Sequence, residues 1–165
     1  MLRFTFRTFF SALLFASLLL LPACQSEEKT EGSDHDTEAE DVEHAAARSA
    51  SAADARVYII SPADGSTVTS PVAIQFGIEG MGVVAAGTVE EHSGHHHLLI
   101  DLDELPALEY PIPNDENHRH FGGAQTETSL ELEPGTHTLQ LILGDHAHVP
   151  HDPAVVSDLI TITVE

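Results

Sequence analysis

Residues 57–165 of this 165-residue chain are predicted to form an all-β fold. Several short runs alternate apolar and polar residues, as half-buried strands do, and Gly/Pro-rich turns separate these runs. No segment repeats its apolar residues at the helical spacing of 3.6. The number and spacing of the runs favour a single immunoglobulin-like antiparallel β-sandwich over a barrel.

The first two strands are predicted at 57–60 and 71–78. Val57-Tyr58-Ile59-Ile60 is β-branched and aromatic, and the turn residues of Ser61-Pro62-Ala63-Asp64-Gly65 end it. The second run begins after Pro71. Its alternate apolar residues, which we expect to face the core, are Val72, Ile74, Phe76 and Ile78.

The third predicted strand, Gly94–Asp101, carries three consecutive histidines. Side chains alternate along a strand, so His95 and His97 share one face while His96 lies on the other. Pro106, Pro111 and Pro113 then exclude a central strand and predict a long connection that reaches Gly123.

The last strands are predicted at 128–133, 136–143 and 159–164. Pro134-Gly135 separates the first two of these runs. A turn between two alternating runs is typical of a β-hairpin, so we expect these two strands to pair with each other.

The amino-terminal 23 residues have the features of a secretory signal. Arg3 and Arg7 precede a short apolar run, and Leu21-Pro22-Ala23 precedes Cys24. This arrangement resembles a bacterial lipoprotein cleavage site, which implies that Cys24 is lipidated and anchors the chain to a membrane. Gln25 resembles the sorting pattern of outer-membrane lipoproteins, so we expect the bacterial cell envelope as the location.

Residues 24–56 are predicted to form a disordered acidic linker between this anchor and the domain at 57–165. Residues 25–55 contain ten acids against Lys29 and Arg48. From Val57 onward, 17 acids face one basic residue, Arg119, which argues against nucleic acid as a partner. Cys24 is the only cysteine, so neither a disulfide nor thiolate ligands are expected in the domain.

Clustered histidines are the strongest indication of function. Three pairs have i, i+2 spacing, which places both imidazoles on one face of an extended segment, where they can converge on one ion. The predicted ligands are His95, His97, His118, His120, His146, His148 and His151. We expect at least two of the pairs to meet at one end of the sandwich. Imidazole without thiolate suits copper(II) or zinc better than calcium or magnesium.

Several neighbouring residues are candidates to support these ligands by hydrogen bonding: His96, Asp101, Asp115 and Asp145. His137 has the parity of Leu139 and Leu141 and is expected to pack. The alternative to a metal site is an envelope scaffold or adhesion module in which the histidines are structural hydrogen-bonding groups.

A non-catalytic binding module is favoured over an enzyme. The chain has no Gly-x-Ser-x-Gly, no His-Glu-x-x-His and no phosphate-binding glycine loop. A zinc hydrolase with Glu116 as the base stays an alternative.

Several motifs resemble the bacterial domain-of-unknown-function family 4399. The similar segments are Ser-Pro-Ala-Asp-Gly from Ser61, Gly-His-His-His-Leu-Leu-Ile-Asp from Gly94, Pro-Asn-Asp-Glu-Asn-His-Arg-His-Phe-Gly-Gly from Pro113, Pro-Gly-Thr-His-Thr-Leu-Gln-Leu from Pro134 and Leu-Gly-Asp-His-Ala-His-Val-Pro-His from Leu143. The resemblance covers essentially all of 57–165 and implies no particular activity.

Overall fold

Nine β-strands form two sheets in the computed structural model, which describes residues 47–165. In chain order the strands are β1 (Arg56–Ser61), β2 (Thr67–Val68), β3 (Val72–Glu79), β4 (Gly82–Val83), β5 (Ser93–Ile100), β6 (His118–His120), β7 (Glu127–Leu130), β8 (Gly135–Gly144) and β9 (Ile160–Val164). The smaller sheet has the order β1-β3-β7. The larger sheet has the order β2-β9-β8-β5-β4, and β6 also pairs with β5. The predicted all-β sandwich is therefore confirmed.

The main core lies between the two sheets, because alternate residues of each strand point toward the other sheet. The smaller sheet contributes Val57, Val72, Ile74, Phe76 and Leu130, and the larger sheet contributes Leu98, Ile100, Leu139, Leu141, Leu143, Ile162 and Val164. The period-two pattern of the sequence correctly predicted Val72, Ile74 and Phe76 as core residues.

Strand β5 is buried on both faces along its whole length. Leu98 and Ile100 point into the main core, whereas Leu99 points outward and packs with Ile112 and Ile142 in a second apolar cluster. The long connection after β5 supplies Ile112 and so covers this outer face. His95 and His97 share the face of Leu99 and are also fully buried.

The predicted hairpin between 128–133 and 136–143 is wrong. Strand β7 pairs with β3 in the smaller sheet, while β8 pairs with β5 and β9 in the larger sheet. Pro134-Gly135 thus lies where the chain crosses from one sheet to the other. Alternating runs around a tight turn look the same in both arrangements, because both strands bury one face in the same core.

The sequence did not predict the short strands, and two of them pair in parallel, so the fold is not purely antiparallel. Strands β2 and β4 have two residues each and pair in parallel with β9 and β5. Strand β6, which was expected to be a loop, is antiparallel to β5. Two or three residues are too few to show a period, so these elements depend on tertiary pairing.

The ordered part begins earlier than the predicted boundary at residue 57. Ala50 forms a parallel bridge with Asp152, and Arg48 contacts the backbone of residues 150–151. The end of the predicted 24–56 linker therefore belongs with the domain. The 1–23 signal and Cys24 lie outside the described residues. Among residues 47–165, no helix is long and apolar enough to cross a membrane.

Candidate metal centre

Four histidines from three segments meet on the outer face of the larger sheet. His95 and His97 come from β5, where their side chains share one face. His120 lies on β6 directly opposite His97 in the strand register. His148 comes from the loop that follows β8. We call these four residues the histidine cluster.

The four imidazoles are in mutual contact. Five of the six ring-centroid separations lie between 4.7 and 5.0 Å, and the His97–His148 separation is 6.0 Å. The Nε2 atoms of His95 and His97 are 3.0 Å apart. One ring nitrogen from each of His95, His120 and His148 lies within 4.8 Å of the others.

These separations are close to those of a metal ligand set. Two nitrogens bound to one ion at about 2.0 to 2.1 Å lie about 3.3 Å apart in a tetrahedron. The His95–His97 pair already has roughly this separation. The wider contacts would have to shorten by about 1 to 1.5 Å, which side-chain rotation can supply.

The hydrogen bonds of His95 and His97 leave a donor unpaired. A neutral imidazole has one N–H and one bare nitrogen, so only one of the two Nε2 atoms can donate to the other. The ring that accepts then carries its proton on Nδ1. Neither Nδ1 has a partner among the described residues, although both are buried. An unpaired buried donor costs about 1 to 3 kcal/mol.

Burial lowers the pKa of three imidazoles of the cluster. Removal from water, followed by the neighbouring imidazoles of His120 and His148, lowers the pKa of His95 to about 4. Burial and then the His95 imidazole lower the pKa of His97 to about 2. Burial also lowers the pKa of His120. A neutral ring has a lone pair that a metal can bind, so these three imidazoles can bind an ion at pH 7 without first losing a second proton.

Two glycines give the imidazoles their space. Gly144 lies opposite His95 in the register, and a Cβ there would approach Nε2 of His97 to 2.9 Å. A Cβ on Gly122 would overlap Cε1 of His120 and approach its Nε2 to 2.6 Å. Neither glycine has a positive φ, so packing room rather than backbone freedom explains them.

Replacing Gly122 by alanine should lower metal affinity while changing the stability of the fold only slightly. The added methyl group would push the His120 ring out of the cluster, and a ring at the end of a side chain moves at little cost. We expect metal affinity to fall about 10-fold or more, with less than about 1 kcal/mol lost in stability. Isothermal titration and chemical denaturation measure the two quantities. Gly123→Ala is the matched control, because the nearest atoms to its Cβ would belong to the Gln125 side chain, from 3.1 Å. Equal affinities in both variants would contradict this packing role.

Asp145 shapes the loop that carries His148. Its Oδ1 accepts hydrogen bonds from the backbone N–H groups of Ala147 and Val149, at 2.8 and 3.0 Å. The His148 N–H donates to the Asp145 carbonyl, which closes a tight turn. His148 adopts a φ of 68°, which is uncommon for a residue with a side chain. The turn therefore fixes where the His148 imidazole points.

Three predicted ligands lie outside the cluster. Nδ1 of His118 is 2.9 Å from Asp115 Oδ1, His146 is exposed, and both ring nitrogens of His151 face backbone carbonyls, of Leu143 and Ser93. The expected meeting of two whole pairs is therefore wrong. The cluster contains the whole pair His95/His97, but only His120 and His148 from the other two pairs. It lies on a sheet face rather than at the end of the sandwich.

The predicted supporting residues have different roles. His96 points toward the main core, where it packs on Phe76 and its Nδ1 lies 3.1 Å from the Gln125 carbonyl. Asp101 accepts from His137 at 2.7 Å, so His137 is held by polar contacts rather than by apolar packing. Asp115 binds His118, and only Asp145 supports a residue of the cluster. Glu116 is exposed and is not a member of the metal-binding group.

Comparisons with known proteins identify the family and nothing finer. The model of the family described as "Domain of unknown function (DUF4399)" matches residues 74–165, more than half of the chain. The chain belongs to this family, as its motifs predicted. The match includes all four residues of the histidine cluster. No curated protein matches the chain. No solved structure matches it either.

Proposed function

We propose that this protein is a non-catalytic binding module of the bacterial envelope that holds one copper(II) or zinc ion through His95, His97, His120 and His148. One observation carries the proposal: ring nitrogens of His95, His120 and His148 lie within 4.8 Å of one another, with His97 3.0 Å from His95, and buried ring nitrogens of this cluster have no hydrogen-bond partner among the described residues. A scaffold built only for hydrogen bonding would pair these nitrogens. Binding an ion would use their lone pairs.

The donor set indicates the class of metal. Imidazole nitrogen suits zinc, copper(II) and nickel, whereas calcium and magnesium require oxygen ligands. Among the described residues, the only group able to hold an ion consists of histidines. Four protein ligands fill a tetrahedral site, which is typical of structural zinc, while catalytic zinc keeps a position open. This favours storage, transport or a structural role over hydrolysis.

Metal content is the direct test of this proposal. We expect the untagged chain to bind one copper(II) or zinc ion per molecule, since the four imidazoles share a single centre. Elemental analysis after dialysis and calorimetric titration measure the stoichiometry. Magnesium is the control ion, because its preference for oxygen predicts no binding. A chain that binds neither copper, zinc nor nickel at pH 7.5 would refute the function.

The scaffold alternative is supported at other histidines. His118, His137 and His151 all place ring nitrogens against carbonyl or carboxylate oxygens. His137 joins the end of β5 to β8 through Asp101, and His151 joins the two strands at their other end. These residues fix the frame on which the histidine cluster is displayed.

The location proposal depends on Cys24. We expect cleavage before Cys24 and lipid attachment to its thiol and amino group, so that the protein partitions with the outer membrane. Mass spectrometry of the mature amino terminus reads both changes. An amino terminus at Met1, or an unmodified Cys24 in the soluble envelope fraction, would contradict a lipoprotein.

A further inference from the structure

Residues 48–51 lie along the loop that carries His148, and we call them the strap. Ala50 forms a parallel bridge with Asp152, supported by hydrogen bonds from the N–H of Asp152 to the Ser49 carbonyl at 2.9 Å and from the N–H of Ser51 to the Asp152 carbonyl at 3.2 Å. The strap is the last segment of the chain before β1. Its backbone hydrogen bonds attach it to the loop that carries His148.

Ser49 completes the hydrogen bonding of Asp145. Its hydroxyl donates to Oδ2 of Asp145 at 2.7 Å, while Oδ1 accepts the two backbone N–H groups of the loop. Asp145 is 2% exposed, so water does not readily replace the serine. Without the Ser49 hydroxyl, one buried carboxylate oxygen loses its side-chain donor. The carboxylate that sets the turn at His148 then has freedom to rotate.

Arg48 holds the other end of the same loop. Its guanidinium donates to the carbonyls of Pro150 and His151 and lies 3.4 Å from the Asp152 carboxylate. Ser49 and Ala50 also line a half-open cavity of about 370 Å³ together with Asp145 and His146. The strap thus contacts the loop on both sides of His148, and among the described residues it makes no hydrogen bond with an imidazole of the cluster.

We infer that the strap is part of the metal site: Ser49 and Arg48 are positioning residues that hold His148 in the cluster and slow the release of the ion. This inference depends on the proposed function. It extends the site to the segment that leads toward Cys24, so metal retention depends on whether that segment is docked on the domain. Residues that orient metal ligands typically contribute 10- to 100-fold in affinity.

Zinc release from full-length variants tests this inference. We expect Ser49→Ala and Arg48→Gln each to weaken zinc binding about 10-fold or more, mainly through faster dissociation. Stopped-flow transfer of zinc to a colorimetric chelator measures the dissociation rate, and competitive titration measures the affinity. Ser49→Thr keeps the hydroxyl and should restore the wild-type rate. Ser51→Ala is the matched control in the strap, because its hydroxyl makes no hydrogen bond among residues 47–165.

The outcomes separate this inference from the proposed function. If the wild-type chain binds zinc and both variants release it at the wild-type rate, the strap has no part in the site. If the wild-type chain binds no zinc, the function itself fails and the inference fails with it. Thermal unfolding in EDTA checks the fold of each variant. If the Ser49→Thr protein releases zinc as fast as the Ser49→Ala protein, the hydroxyl has no role in the site, even if both variants are somewhat destabilised.

Discussion

Replacing His95 and His97 together by alanine is expected to abolish the rise in melting temperature that copper(II) or zinc causes in the wild-type chain. An ion that binds only the folded state adds about 2.7 kcal/mol at a free concentration 100 times its dissociation constant. For a domain of this size, that energy corresponds to a rise of roughly 10 to 20 °C. The double variant removes both ligands of the closest nitrogen pair. Differential scanning calorimetry with and without metal measures the rise within each protein.

The best control is the double variant His118→Ala with His146→Ala. It also removes two imidazoles. Each replaced residue lies two positions before a member of the histidine cluster, but neither belongs to the cluster. We expect it to keep the full metal-induced rise. If both double variants lose the rise equally, the ion binds through dispersed surface histidines. If neither loses it, the cluster is not the site.

The strand pattern of the sequence was sufficient for the fold class and for the faces of β3 and β5. His95 and His97 were expected on one side of β5 and His96 on the other, and the structure agrees, because alternation along a strand is a local property. The pairing of the strands was not predictable in this way. Strands β7 and β8 bury alternate residues in one core whether they form a hairpin or belong to two sheets.

The members of the histidine cluster were all among the predicted ligands, but spacing alone could not select them. In a strand, i and i+2 share a face, and this rule placed His95 beside His97. His146 and His148 lie in a tight turn ordered by Asp145, where the rule does not apply, and one of them points away. His118 is on the correct face, but the nearby Asp115 carboxylate binds its ring. Which histidines belong to the cluster is therefore decided by tertiary contacts, and the periodicity of the sequence does not reveal these contacts.

The small residues of the site gave no signal in the sequence. Gly122 falls within the predicted long connection, where a glycine gives no sign of a packing role; its φ is not positive, and it leaves room for the His120 imidazole. The strap was assigned to an acidic linker on composition. Its attachment comes from individual hydrogen bonds of Arg48 and Ser49, which a composition average does not reveal.

Acid should destabilise the metal-free protein strongly, well above the pH at which carboxylates titrate. The unfolded chain takes up protons on His95 and His97 near their ordinary pKa of about 6.5. The folded chain does not, because burial lowers the pKa of His95 to about 4 and that of His97 to about 2. The unfolded state therefore binds more protons below pH 6.5, and stability falls as the pH falls.

The size of this effect follows from the same linkage. Each such histidine lowers the free energy of unfolding by about 1.4 kcal/mol per pH unit once the pH is below 6, so the two together remove about 3 to 4 kcal/mol between pH 7 and pH 5. His137 acts in the opposite sense: although partial burial opposes it, the Glu133 carbonyl and the Asp101 carboxylate raise its pKa. Its contribution is present below pH 6.5 and is lost as the pH rises, so it offsets only the first part of the decline.

Urea denaturation in the presence of EDTA at pH 7, 6 and 5 measures this decline. The double variant His95→Gln with His97→Gln has no titrating groups at these positions, so its stability should change much less over the same range. His137→Gln should instead make the decline between pH 7 and 6 steeper, since the opposing group is gone. A wild-type chain as stable at pH 5 as at pH 7 would mean that His95 and His97 are protonated in the folded state. At pH 5, protons would then occupy the lone pairs on which the proposed function depends, so metal binding would be lost at that pH.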